Sequence, residues 1–402
     1  MKILQICNKA PYPANDGSSI AICTLAEGLA DAGAELHLLA INTKKHFKPD
    51  ENIPAEFKRK THYRSVYRNT DTSAAGALMN LFSSESYFVS RFHFREFAEA
   101  LENILNAHTF DIIQIEGVFM VPYLPLLRRL SKARIVLRPH NVEHQIWERH
   151  LKTERNPVKK WYLNLQNKRL KRFELMAFRE ADAIVPITDL DKENIGRIEP
   201  AKPMYTCLTG VDMAKYKACT QPKEEQSAFH FASMDWMPNI EAADWLMNEV
   251  WPLVKNTGAS VKLVLAGRGM PERFKAMAGN GVEVREQVDS SAVFYDTYDI
   301  MLVPLWSGSG LRIKLVEGLA YAKPIITTSI GAEGVPYENG KHLVIADTKE
   351  QFAEAIVKLA SDKAIRRNLG LAARNLAENH FDYRRIAENL LHFYKSKLID
   401  AA

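Results

Sequence analysis

Residues 307–317 read SGSGLRIKLVE, a glycine–serine loop followed by Arg312, Lys314 and Glu317. Gly308 and Gly310 carry no Cβ, so a backbone there can come close to a bound group. A helix opening at Leu311 would add unpaired N–H donors and the positive end of its dipole, which together make an anion site. Arg312 and Lys314 would then lie in the first turn, where cations oppose the dipole; a bound pyrophosphate accounts for them better than helix stability does. Glu317, about two turns in, offers a carboxylate that can accept two hydrogen bonds from vicinal hydroxyls, as a ribose presents them. The bland reading of the same residues is a strand–turn–helix with a solvated basic face and a serine cap.

Other sites of chemical interest fall at similar places. Arg268 lies in Ala266-Gly267-Arg268-Gly269 and reads either as a phosphate contact or as an exposed turn arginine; a lone G-x-G is a weak signal. Asp16-Gly17-Ser18-Ser19 precedes a helical stretch; Gly17 and Ser18 fit a ligand-facing loop or simply a helix cap. Pro139-His140-Asn141-Val142-Glu143-His144 contains H-x-x-E-H, a zinc-protease pattern that needs both histidines on one helix face. Pro139 and the apolar run before it put His140 at or before the helix start, against that reading. Glu116 and Gly117 follow another apolar run. Asp189-Leu190-Asp191 resembles a metal-binding D-x-D but fits a helix cap.

The elements that position these residues are read from the alternation of short apolar runs with helical patterns. Strands are expected at residues 2–8, 35–41, 111–115, 134–138 and 183–187, then at 228–232, 261–266, 281–285, 299–303 and 324–327. Helices are expected between them, including 18–32, 161–179 and 311–321. Runs rich in Ile, Leu and Val without polar alternation suit parallel strands covered on both faces. The expected fold class is α/β, with two Rossmann-like doubly wound domains facing a cleft. At 402 residues the chain exceeds what one core usually supports. Expected domains are residues 1–213, residues 214–382, and a helical segment 383–402 that could cross back to the first. A polar stretch at 215–227 reads as the linker. Ligands of such sheets bind outside the carboxyl ends of the strands, where every residue named above would lie.

The segment Gly308-Ser309-Gly310-Leu311-Arg312-Ile313-Lys314-Leu315-Val316-Glu317-Gly318 resembles the donor loop of the family-four glycosyltransferases, which have the GT-B fold. Ala322-Lys323-Pro324, Gly331-Ala332-Glu333-Gly334 and the turn Ser233-Met234-Asp235-Trp236 extend the likeness. It implies a retaining glycosyltransferase of hexosyl type, moving sugar from a UDP- or GDP-sugar to a hydroxyl of a glycan or lipid-linked acceptor. It implies no cofactor or metal beyond that donor. By the same resemblance Glu317 binds the ribose, Gly308, Ser309, Gly310 and Leu311 the donor, Arg312 and Lys314 the leaving diphosphate, and His140 the sugar near its reacting carbon. Gly17 and Ser18 would touch phosphate or acceptor. Ser309 stands where many members carry a glutamate, and Met234 and Met237 stand near positions that are often basic. Thr209-Gly210-Val211-Asp212 resembles the turn near the domain crossing. A sugar-nucleotide epimerase of the same fold and a non-catalytic sugar-nucleotide binder are the alternatives.

Composition agrees with a globular protein: 47% hydrophobic, 25% charged, net charge +5. That charge is too mild to indicate nucleic acid and suits anionic ligands. Four cysteines without C-x-x-C spacing point to a reducing compartment, and no apolar run reaches membrane-spanning length. A cytoplasmic protein is expected. Residues 155–172, RNPVKKWYLNLQNKRLKR, interleave basic and aromatic residues. They fit peripheral contact with the inner face of a membrane, or a solvated helix whose long side chains cover apolar surface. Residues 79–94, rich in aromatics, are expected to build part of the acceptor-side domain.

Overall fold

The computed structural model describes residues 1–402 except 15, 45–46, 221–225, 308–309 and 402. The chain divides into two compact units, Met1–Gly210 with Tyr383–Ala402, and Val211–Asp382. Each contains one six-stranded sheet in which every recorded pairing is parallel.

In the first unit the strands are β1 (Lys2–Cys7), β2 (Glu35–Thr43), β3 (Arg64–Arg68), β4 (Ile112–Glu116), β5 (Arg134–Arg138) and β6 (Ala183–Ile184), in the order β3-β2-β1-β4-β5-β6. The central strands are apolar because both faces are covered: all five residues of β4 are buried. β3 has no such signature. Its sequence RSVYR is largely exposed and joins the sheet at an edge, through pairs such as Leu39–Arg64, which is why hydrophobic patterning does not reveal it.

Five helices of this unit bear on function. They are α1 (Gly17–Asp31), α2 (Ala74–Asn80), α3 (Glu143–Thr153), α4 (Pro157–Glu180) and α5 (Tyr383–Tyr394). α5, from the far end of the sequence, packs on α1. A Cβ at Gly28 would stand 2.8 Å from the Tyr383 carbonyl oxygen and 2.9 Å from Ala387 Cβ, so the absence of a side chain there lets the helices touch. Ile386, Leu390 and Tyr394 join the core formed by Ile3, Ile22 and Leu29, each large apolar side chain contributing about 1.5–3 kcal/mol.

The second unit holds β7 (Ser227–Phe231), β8 (Lys262–Ala266), β9 (Val282–Arg285), β10 (Ile300–Val303), β11 (Ile325–Thr327) and the two-residue β12 (Val344–Ile345), in the order β12-β11-β10-β7-β8-β9. Two of its helices matter below, α6 (Met237–Trp245) and α7 (Ile313–Ala320). Both sheets have the doubly wound order, reversing between β1 and β4 and between β7 and β10. The carboxyl ends of those strands open on the crevice where such folds bind ligands.

Candidate active site

In the second unit the chain leaves β10 and enters α7 through the loop singled out above. Gly308 and Ser309 lie outside the described residues. Gly310 has φ +80°, a left-handed conformation that favours glycine. α7 begins at Ile313, two residues later than the sequence suggests, because Arg312 is extended at the N-cap with φ −86° and ψ 102°. Arg312 is therefore at the helix mouth and not in its first turn, while Lys314 is in the first turn. Glu317 lies little more than one turn in, on the same side as Lys314 by its spacing of three. A Cβ at Gly318 would meet Met301 Sδ at 2.3 Å, so this glycine holds the helix close to β10.

Lys314 Nζ donates to Asn239 Oδ1 at 2.7 Å, and Asn239 Nδ2 donates to the Ser233 carbonyl at 2.7 Å. Arg312 is buried with its guanidinium 5.9 Å from the Trp236 ring centroid. Burial and the neighbouring Arg312 lower the Lys314 pKa to about 7. Burial and Lys314 likewise lower His230, on the adjacent β7, to about 3. Positive charge is thus disfavoured at this spot, and an arriving anion would reverse that. The Glu317 carboxyl is raised by burial, against the Tyr216 hydroxyl, which donates to its Oε1 at 3.2 Å. Tyr216 is itself fixed, packed on Tyr321 at 4.9 Å between centroids, with its carbonyl accepting from Arg374 at 2.7 Å.

The structure brings Arg312, Lys314 and Glu317 together with Asn239 and Tyr216. Leu311 is half-buried beside them in the sequence. Arg268 belongs to the neighbouring loop, and its guanidinium is already engaged: Nε lies 3.1 Å from Ser233 Oγ and 2.9 Å from Asp235 Oδ2. Its side chain is 70% exposed, so exchanging Asp235 for another anion needs no rearrangement of the core. Tyr216 was missed because it sits in the stretch read as a linker. Asn239, near the start of α6, stands 75 positions before Lys314, and no local pattern joins the two.

The first unit builds a second polar cluster at the carboxyl ends of β1, β4 and β5. Asp16 caps α1, accepting from the Ser18 and Ser19 N–H groups and from Lys9. Ser18 Oγ lies 2.9 Å from His140 Nδ1, and His140 Nε2 lies 2.6 Å from Glu116 Oε2. Glu116 is wholly buried and also meets Arg138 Nη1 at 3.1 Å, Gln5 Nε2 at 2.6 Å and Gln114 Nε2. Burial alone would raise its carboxyl, but Arg138 and His140 hold it down to about 2. Burial lowers the His140 pKa, so the ring is neutral near pH 7. With Glu116 ionised, the network assigns the ring proton to Nε2, leaving Nδ1 to accept from Ser18. Gly17 is the first residue of α1 and places Ser18 there.

His140 precedes α3, as its position after Pro139 indicates, and the two histidines of H-x-x-E-H are held by different carboxylates. His144 Nδ1 lies 2.6 Å from Glu174 Oε2, whereas His140 binds Glu116, so they do not form one ligand set. Burial and the Glu174 charge raise the intervening Glu143 to about 8, making it a neutral acid at pH 7. Asp189 and Asp191 of the D-x-D lie in the first turn of a helix capped by Thr188.

Residues 15–215, half of the chain, match the family described as Glycosyltransferase Family 4, and residues 226–362 match Glycosyl transferases group 1. The chain belongs to glycosyltransferase family 4. A Klebsiella pneumoniae protein described as an uncharacterized 44.6 kDa protein in the cps region is 22% identical over 414 residues, covering 97% of this transferase and 98% of the relative. Sucrose-phosphate synthase from Thermosynechococcus elongatus has the same fold, with a TM-score of 0.71 at 16% identity and full coverage of both chains. So has Anabaena HepE, solved with UDP-glucose, with a TM-score of 0.61 at 14% identity, covering 98% of this chain and 100% of that one. Among the described residues of the transferase, no helix is long and apolar enough to cross a membrane.

Proposed function

We propose that this protein moves a hexosyl group from a nucleoside-diphosphate sugar to a hydroxyl of a glycan or lipid-linked acceptor, with retention of anomeric configuration. The observation that carries the reading is the buried Arg312 and half-buried Lys314 at the mouth of α7, with the Glu317 carboxylate one helix turn away. Arg312 and Lys314 take the diphosphate, with Arg268 as a neighbouring contact, and Glu317, oriented by Tyr216, takes the ribose hydroxyls. Gly308, Ser309, Gly310 and Leu311 are assigned to the donor.

In the transfer, the bond from the anomeric carbon to the phosphate oxygen breaks as the acceptor oxygen bonds on the same face. The acceptor proton passes to a leaving phosphate oxygen, so no strong protein base is needed. Negative charge grows on the diphosphate, and preorganised cations stabilise it there. His140 is assigned to the sugar near the reacting carbon; Glu116 supports that role by fixing one tautomer and one ring orientation. Gly17 and Ser18 are assigned to phosphate or acceptor.

HepE is described in complex with UDP-glucose, which makes UDP-sugars the first donors to test. The Klebsiella relative's place in a cps region supports a polysaccharide acceptor. Calorimetry with UDP, GDP and their sugars tests the site: Glu317→Ala and Lys314→Ala should each abolish measurable donor binding, and unchanged affinity in either would refute the assignment. Product analysis for transfer, hydrolysis and epimerisation then identifies the reaction.

A further inference from the structure

Helix α2 sits on the protein the wrong way round for a soluble surface. Its Leu78 is 63% exposed, its Met79 71%, and Phe82 in the following turn 93%, while polar Asn80 is buried. The arrangement is fastened in place. Gln166 Nε2 donates to Asn80 Oδ1 at 2.8 Å, and Arg169 donates to the Asn80 carbonyl at 2.9 Å and the Leu81 carbonyl at 3.2 Å. The Ser73 hydroxyl caps the helix at 3.0 Å. Hydrogen bonds therefore hold an apolar face outward. Phe88 and Phe92, from the same aromatic-rich segment, are buried in the core, so exposure is confined to this part.

Gln166 and Arg169 lie on α4, whose first turns expose Val158 (74%) and Trp161 (60%). α4 carries seven basic residues, Lys159, Lys160, Lys168, Arg169, Lys171, Arg172 and Arg179, against Glu174 and Glu180. Glu174 is buried on His144. Lys159 pairs with Glu154 and Lys171 with Glu148; Lys160 and Lys168 are exposed and show no ion pair among the described residues.

Exposed Leu, Met, Phe and Trp on two touching helices, with exposed lysines along one of them, have the composition of an interfacial anchor: apolar side chains enter the acyl boundary, Trp sits at headgroup depth, and the cations meet anionic lipid. A protein-binding face would instead be depleted in lysine. We infer that α2, the turn to Phe82 and the start of α4 form a membrane-docking face specific for bilayers containing anionic phospholipid. The inference does not depend on the donor site, and its test contains no nucleotide sugar.

The test is sedimentation of the full chain with vesicles of phosphatidylcholine alone or mixed with phosphatidylglycerol. The parent should sediment with the mixed vesicles only, and less so in high salt. A Met79→Ser, Phe82→Ser double variant should lose on the order of tenfold in partitioning, with circular dichroism and melting unchanged because both side chains are solvent-exposed. Lys160→Glu with Lys168→Glu should lose the preference for anionic lipid. No vesicle binding by the parent, or equal binding by the double serine variant, would overturn the inference. So would concentration-dependent self-association in analytical ultracentrifugation that the same serine substitutions abolish, since the face would then be an interface between copies.

Discussion

Replacing Lys314 by methionine should stabilise the unliganded protein while abolishing the donor binding proposed for this residue. Burial and Arg312 lower this lysine from an ordinary 10.5 to about 7. The unfolded chain therefore holds the proton more tightly than the folded one. The cost to stability is fully present below pH 7 and fades as pH rises toward 10.5. At face value the shift is worth about 5 kcal/mol; water reaching the half-buried ammonium reduces this to on the order of 2–3 kcal/mol. Methionine also leaves Asn239 Oδ1 without its donor, a loss of about 1 kcal/mol. The net gain at pH 6 should be roughly 1–2 kcal/mol, a few degrees in Tm for a unit of this size, narrowing by pH 9. Thermal melts in phosphate-free buffer at the two pH values measure it, and calorimetry with UDP-sugars should show binding lost. A variant that melts below the parent by the same margin at both pH values would show that Lys314 is an ordinary lysine, and retained binding would show that it does not meet the diphosphate.

Three further outcomes are expected. Tyr216→Phe removes the hydrogen bond that the Tyr216 hydroxyl donates to the Glu317 carboxylate, so donor affinity should fall about fivefold, the worth of one such bond; unchanged calorimetry would show that Glu317 needs no orientation. Glu116→Gln leaves the buried Arg138 without its counter-charge, at about 3–5 kcal/mol in urea unfolding, and adding Arg138→Met should recover much of the loss. His230, lowered to about 3, must be protonated when the chain unfolds in acid. Parent stability should therefore fall by roughly 3 kcal/mol between pH 6.5 and pH 4, and His230→Leu should flatten that slope in melts across the range.

Much of the fold is legible because a doubly wound sheet writes itself as apolar runs separated by helices. The runs that become β1, β4, β5, β8 and β10 are read to within a residue or two at each end. β3 and β12 escape for different reasons: RSVYR is a half-solvated edge strand with no apolar signature, whereas β12 is only two residues, Val344 and Ile345, too short for a period to show. The start of α7 escapes for another. Leu311 and Arg312 look helical by propensity, but the left-handed turn at Gly310 and the extended Arg312 delay the helix, and loop geometry of that kind is set by packing, not by residue preference. The aromatic segment from Met79 to Phe94 shows the limit from the opposite side. Its composition does not tell one ring from another, yet Phe82 is 93% exposed while Phe88 and Phe92 are buried, with the exposed end held by hydrogen bonds from α4.

At the site, sequence reveals the residues that a short local pattern brings together and misses those that the topology brings together. Arg312, Lys314 and Glu317 share six consecutive positions, so spacing alone places them on one helix mouth. Tyr216 and Glu317 are separated by 101 positions and Lys314 and Asn239 by 75; no periodicity links them. The same holds for Ser18, Glu116 and His140, which meet because the strand order reverses between β1 and β4 and β5 lies next to β4. A clue was present nonetheless. Glu116 and Arg138 end two otherwise apolar strands, at paired positions in the register, and a carboxylate and a guanidinium are wholly buried only when each has a partner. Opposite charges at the carboxyl ends of neighbouring buried strands therefore predict an ion pair beneath the loops that follow. The group such a pair supports must come from those loops, and here it is His140.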